Sequence, residues 1–235
     1  MAGKQDPAAP NRLMAVLGRL GVSPMVRLSI SGRRLLAYLA VRGQPVPRAL
    51  AVEDLWPDVM EDVGRANLRR ALWQLPRGWA AAVGDELVID AEVDLARARA
   101  AASRALAGEA LSFDEIALLS SDLLPGWHED WVRPAQDAFR LLRVQALEAA
   151  CLTMASSGDY AQATQAGTAA LAAEPLRESA AEALIIAHLA QRNRFQAVQC
   201  FRALSARLQT ELGVAPDPAL AERLMSIAPA TQTLQ

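Results

Sequence analysis

From Phe113 onward the chain offers helical periodicity and no segment that alternates like a strand, so this part can bury its side chains only by packing helix on helix. Helices fit 113–121, 134–156, 159–173, 176–191, 194–212 and 217–227. Within them, Gly158–Asp159–Tyr160–Ala161–Gln162–Ala163 is matched 35 residues later by Asn193–Arg194–Phe195–Gln196–Ala197–Val198. The shared elements are a turn residue, an aromatic, then small residues at the start of a helix. Each helix pair leaves an apolar face that a neighbouring pair must cover.

A period near 34 residues with two helices per unit predicts a tetratricopeptide-like stack over 106–228. Composition agrees, with 52% hydrophobic residues, 5% aromatics and abundant alanine and leucine. No apolar run reaches the roughly 18 residues of a membrane span. The first eleven residues lack the basic-then-apolar order of a signal peptide. The expectation is a soluble cytoplasmic protein without membrane contact. Residues 1–11, with Pro7 and Pro10, read as a disordered leader, and 229–235 as a tail.

The first part is patterned differently. Short strands are expected over Leu13–Leu17 and Met25–Ile30, separated by a turn at Gly21–Pro24. A helix over Arg33–Val41, capped by Ser31, places Leu35, Leu36, Leu39 and Ala40 on one face and ends at Gly43–Gln44–Pro45. A second helix covers Arg48–Leu55 and stops at Trp56–Pro57–Asp58. A third covers Asp62–Leu75 and stops at Pro76. Val83–Ile89 then reads as a hairpin around Gly84–Asp85. Strands, three helices and a hairpin form the order of a winged helix-turn-helix over 12–105, with Asp94–Leu106 as the helix leading out. The expected fold is therefore mainly α, with a small sheet and wing hairpin in front of an all-α repeat.

The third helix carries the chemistry. Leu68, Ala71, Leu72 and Leu75 share one stripe, while Ala66, Arg70 and Trp73 centre the opposite side with Asn67, Arg69 and Gln74 on its shoulders. Arginine can donate twice to guanine, Asn or Gln can pair with adenine, and alanine can touch a thymine methyl. Ala66, Asn67, Arg69, Arg70 and Gln74 are thus the candidate base contacts. Arg33, Arg34 and Arg48 at helix starts, with Arg65 and Arg77, are the candidate phosphate contacts. Trp73 could stack on the sugar–phosphate backbone, pack under the hairpin or contact the second domain, and packing is the expectation. Charge is divided to match: residues 1–105 hold 15 Arg+Lys against 11 Asp+Glu, and 106–235 hold 9 against 15. The hairpin tip Gly84–Asp85–Glu86 is acidic, where a groove-entering wing usually carries Arg or Lys.

Catalysis is not expected. His128 and His188 are isolated, no nucleophile–base pair is visible, and neither glycine fingerprint for phosphate occurs. His188 lies among Ile185, Ile186 and Leu189 and reads as a near-core residue. Cys151 and Cys200 lack metal-ligand spacing and read as buried, reduced thiols. No cofactor or metal is expected.

Several segments resemble the bacterial transcriptional activators of the antibiotic-regulatory-protein (SARP-like) type. They are Arg34–Leu35–Leu36–Ala37–Tyr38–Leu39–Ala40 with Asp54–Leu55–Trp56–Pro57–Asp58, then Leu68–Arg69–Arg70–Ala71–Leu72–Trp73, Leu123–Leu124–Pro125–Gly126–Trp127–His128–Glu129–Asp130–Trp131–Val132, and Glu211–Leu212–Gly213–Val214–Ala215–Pro216–Asp217–Pro218. Together they span about residue 13 to 227. The resemblance implies a winged helix followed by a bacterial transcriptional activator domain, direct-repeat recognition in double-stranded DNA, and engagement of RNA polymerase. It makes 62–75 the recognition helix and Trp56–Pro57–Asp58 the start of the loop facing polymerase, and it leaves a homodimer on DNA open. Pro76 and the acidic hairpin depart from the family pattern. The alternative from the residues alone is a protein-interaction adaptor whose winged helix no longer binds DNA.

Overall fold

The computed structural model describes residues 12–226; the leader at 1–11 and the tail at 229–235 lie outside them. The described residues are mainly helical, with two small sheets, and divide into two compact units. One comprises residues 12–98 with Ser121–Phe139, the other Arg99–Ser120 with 140–226. Among the described residues, no helix is long and apolar enough to cross a membrane.

The first unit begins with β1 (Leu13–Ala15) and β2 (Gly21–Ser23), which pair antiparallel with Met14 opposite Val22. The turn expected at Gly21–Pro24 is therefore a strand in its first three residues, and the strand expected over Met25–Ile30 is absent. Alternation there is overruled because Val22 finds its ladder partner in β1, while Ile30 already opens α1 (Ile30–Arg42). Ser29, not Ser31, caps that helix; its Oγ accepts from the Gly32 N–H at 3.1 Å. Gly43 at φ 63° ends it in the left-handed conformation. Leu35, Leu36, Tyr38 and Leu39 of α1 are buried in the core of this unit.

β3 (Val46–Pro47) leads directly into α2 (Arg48–Leu55), and α3 (Glu61–Gln74) follows. β4 (Ala80–Val83) and β5 (Glu86–Ile89) form the expected hairpin, and β5 also pairs with β3. The sheet of β1 and β2 closes with β6 (Glu92–Val93), parallel to β1. The Asp94 carboxylate at the start of α4 (Asp94–Leu106) accepts from the Val16 and Leu17 N–H groups at 2.9 and 3.1 Å. Residues 121–139 return to this unit: the Gly18 N–H donates to the Asp122 carbonyl and the Leu124 N–H to the Val16 carbonyl, both at 2.8 Å. The isolated bridge between Leu17 and Leu123 brings strand-like pairing to Leu123, in a part of the chain where the sequence offers no strand.

The second unit contains α5 (Phe113–Ser120), most of α6 (Arg133–Ser157), α7 (Tyr160–Ala173), α8 (Glu178–Ala190), α9 (Arg194–Glu211) and α10 (Pro218–Ser226). α7 packs on α5 and α8, and α8 on α9. Small residues make this approach close: a Cβ on Gly167 would lie 2.9 Å from Cys151 Sγ and 3.1 Å from Leu184 Cβ. Ala181, Ile185, Ala197, Leu204, Leu208 and Leu220 form one buried cluster across α8, α9 and α10. Buried Arg143 donates to the Leu119 and Ser120 carbonyls, which satisfies the C-terminal end of α5.

Candidate nucleic-acid interface

α3 presents the predicted residues on its outer side. Its buried residues are Gly64, Leu68 and Ala71, while Leu72 and Leu75 of the expected core stripe are only half-buried. Gly64 belongs to the core because α2 crosses close by: a Cβ there would meet Val52 Cγ1 at 2.5 Å. The sequence stripe missed this residue because glycine contributes no apolar side chain to count. Arg65, Arg69, Arg70 and Gln74 are exposed, and Ala66 and Asn67 are half-buried.

Trp73 is 86% exposed, which corrects the expectation that it packs. It lies opposite Gly64, Leu68 and Ala71 on the helix wheel, so no neighbouring element of its unit can reach over it.

Three of the candidate arginines converge. Arg48 at the start of α2, with Arg65 and Arg69 on α3, lines a depression of about 270 Å³ floored by Val52 and Leu68. Asp85 of the hairpin tip lies on the same rim. The tip is held there because the Arg48 N–H donates to the Asp85 carbonyl at 3.0 Å and Pro47 pairs with Glu86. The helix start and the hairpin are thus one rigid edge. Arg65 also pairs with Glu61 one turn earlier, an exposed contact of small strength. Among the described residues, no ion pair involves Arg33, Arg48, Arg69, Arg70 or Arg77. Arg33 and Arg77 are exposed, but neither lines the depression of Arg48, Arg65 and Arg69.

Arg34 is placed otherwise than the sequence suggested. Its Nε donates to both oxygens of Glu129 at 3.0 and 3.1 Å, and its Nη2 donates to Glu129 and to the Leu55 carbonyl at 2.9 Å. The guanidinium, partly exposed, is engaged by Glu129 within the first unit. The Trp131 indole N–H donates to the same carboxylate at 2.6 Å. Burial pushes the Glu129 pKa up, but the hydrogen bonds from Arg34 and then Trp131 outweigh it and hold the carboxyl below its ordinary range.

A second network adjoins the first. Tyr38 donates to Asp54 at 2.6 Å, Arg42 pairs with the same carboxylate and lies over the Tyr38 ring, and Trp131 meets that ring edge-on with centroids 5.3 Å apart. Burial, reinforced by Asp54, raises the Tyr38 pKa, so the phenol stays a donor. The Leu123–Val132 segment is thereby tied down through Glu129 and Trp131. No sequence signal pairs Arg34 with Glu129, because nothing periodic links positions so far apart.

Elsewhere, His128 is exposed, and burial lowers the His188 pKa. Among the described residues, no group of three or more His, Cys, Asp or Glu is placed to hold a metal ion.

Compared with known proteins, residues 81–227 match the family model described as bacterial transcriptional activator domain. A search of curated proteins returned no match. Among solved structures, the chain is similar to Mycobacterium tuberculosis EmbR in complex with a low-affinity phosphopeptide, with 22% sequence identity and a TM-score of 0.68. That alignment covers 93% of this chain and 66% of the other, so this chain spans just under two thirds of its neighbour's length. At this identity the likeness is one of fold.

Proposed function

Because the chain belongs to the family of the bacterial transcriptional activator domain, whose model matches 81–227, we propose that it is a cytoplasmic activator that binds double-stranded DNA through α3. Residues 12–105 act as a winged helix-turn-helix, with α3 as recognition helix and the β4–β5 hairpin as wing. Residues 106–228 act as a tetratricopeptide-like protein-binding domain. The observation that carries this assignment is the outer side of α3: Arg69, Arg70 and Gln74 are exposed beside Arg48 and Arg65, on a helix anchored from behind by Gly64, Leu68 and Ala71. Arg70, Arg69, Asn67, Ala66 and Gln74 face base edges. Arg33, Arg48, Arg65 and Arg77 take phosphates, and Arg34 is withdrawn from that set by Glu129. RNA polymerase is engaged through the loop beginning at Trp56–Pro57–Asp58, and two copies bind direct repeats.

Selection from a randomised duplex pool tests this. The protein should enrich one sequence, and its affinity should fall steeply with salt, with a log–log slope of about −4 for some four or five phosphate contacts. Arg70→Ala should cost about 1–3 kcal/mol at one base position. Failure to retain any duplex in dilute buffer would overturn DNA binding. The position of Asp85 beside Arg48 and Arg69 favours a second function, that of a protein-interaction adaptor, which that failure would support.

A further inference from the structure

The most exposed large hydrophobic side chain of α3 is an indole flanked by hydrogen-bond donors. Trp73 is 86% exposed, with Arg69, Arg70 and Gln74 as its neighbours on the outer side. None of the other exposed large hydrophobic residues of α3 lies within two helical turns of it. The other exposed large apolar residues of this stretch, Val59, Met60 and Val63, lie at or just before the opposite end of the helix, about 15–21 Å away at 1.5 Å per residue. A protein partner would be expected to use a broader apolar surface. A single indole set among guanidinium groups instead suits a polyanion that presents an isolated apolar group. In duplex DNA that group is the thymine C5-methyl in the major groove.

Resting on the DNA-binding role proposed above, we propose that Trp73 is a specificity-determining residue whose indole seats against a thymine methyl. Arg69 and Arg70 hold the flanking base edges. The contact is uncharged, so it selects sequence without adding to the salt dependence. It also requires thymine at a fixed offset from the base read by Arg70, since one helical turn separates the two side chains.

The experiment uses the whole chain and a fluorescein-labelled duplex, the tightest sequence that the wild type recovers from a randomised pool. Each thymine is replaced in turn by uracil, which deletes only the methyl. One replacement should weaken wild-type binding by about fourfold, as expected for one buried methyl group. The same replacement should leave Trp73→Ala unaffected. Trp73→Ala itself should bind the thymine duplex several-fold more weakly, with an unchanged salt slope and an unchanged melting temperature. Equal affinity of the two proteins, or uracil effects identical in both, would overturn the assignment. So would a change in the sedimentation of the free protein on Trp73→Ala, which would give the indole to a second copy of the chain. If the wild type recovers no duplex at all, the DNA-binding role itself falls, an outcome distinct from all of these.

Discussion

Arg34 and Glu129 stand 95 residues apart in the chain, yet the Arg34 Nε donates to both carboxylate oxygens of Glu129 at 3.0 and 3.1 Å. The same guanidinium reaches the carbonyl that ends α2, and the same carboxylate receives the Trp131 indole N–H. One ion pair therefore joins α1, the end of α2 and the segment before α6.

Glu129→Gln should destabilise the first unit by about 1–3 kcal/mol, the range for a half-buried, multiply hydrogen-bonded ion pair. The folded pKa of Glu129 is depressed, so its contribution is present above the unfolded carboxylate value and is lost as pH falls through the lower folded value. In urea titrations the wild type should exceed Glu129→Gln fully above roughly pH 5 and lose that margin as pH falls through the lower folded value. A constant difference across that window would show that charge is not what the carboxyl supplies.

Gly64→Ala should also destabilise. Alanine adds about 1 kcal/mol of helix propensity. Its Cβ, however, would sit 2.5 Å from Val52 Cγ1, and over-packing of this kind costs about 1–3 kcal/mol. Placing Val52→Ala beside it should restore part of the loss, so that the double variant is more stable than the two single effects sum to. Urea midpoints of the four proteins provide the measurement.

The depression lined by Arg48, Arg65, Arg69 and Asp85 allows opposite effects from two neighbouring residues. Arg48→Ala should weaken binding to all duplexes alike and flatten the salt slope by about 1. Asp85→Asn should strengthen binding several-fold at low salt, since it removes an anion facing the phosphates. Fluorescence anisotropy across a salt series reads both. Weaker binding of Asp85→Asn would mean that the hairpin tip serves DNA as an acceptor.

His188 gives the second unit a pH dependence of its own. Burial depresses its pKa, and its Nδ1 is buried without a hydrogen-bond partner among the described residues. A depressed folded value means stability present above the unfolded histidine pKa and lost as pH falls below it. The melting temperature should therefore drop between pH 7.5 and 5.5 in the wild type and drop less in His188→Leu. Parallel curves would assign the acid sensitivity to other groups.

Cys151 should be chemically silent. Burial pushes its thiol up to about 12, and it donates to the Ala183 carbonyl at 3.3 Å. Iodoacetamide at pH 8 should leave Cys151 unmodified in the folded protein and alkylate it in urea, as peptide mass spectrometry would detect. Rapid modification of the native chain would contradict the close packing against Gly167.

Periodicity and punctuation carried most of the local structure. α2 begins and ends where Arg48–Leu55 lay between Pro47 and Trp56–Pro57, and the helices from α4 to α10 follow apolar spacing interrupted by Gly, Pro and Asn. The exposure of Arg69, Arg70 and Gln74 was equally a matter of angle around one helix. Such features depend on neighbours three or four residues apart, whose geometry a single helix already sets. The tertiary structure alone decided that Val22 and not the alternating run after it becomes a strand, that Gly64 is core, that Trp73 is uncovered, and that Glu129 pairs with Arg34. Each of these depends on which distant segment arrives alongside, and burial, cross-strand pairing and ion pairing act through space without regard to separation along the chain.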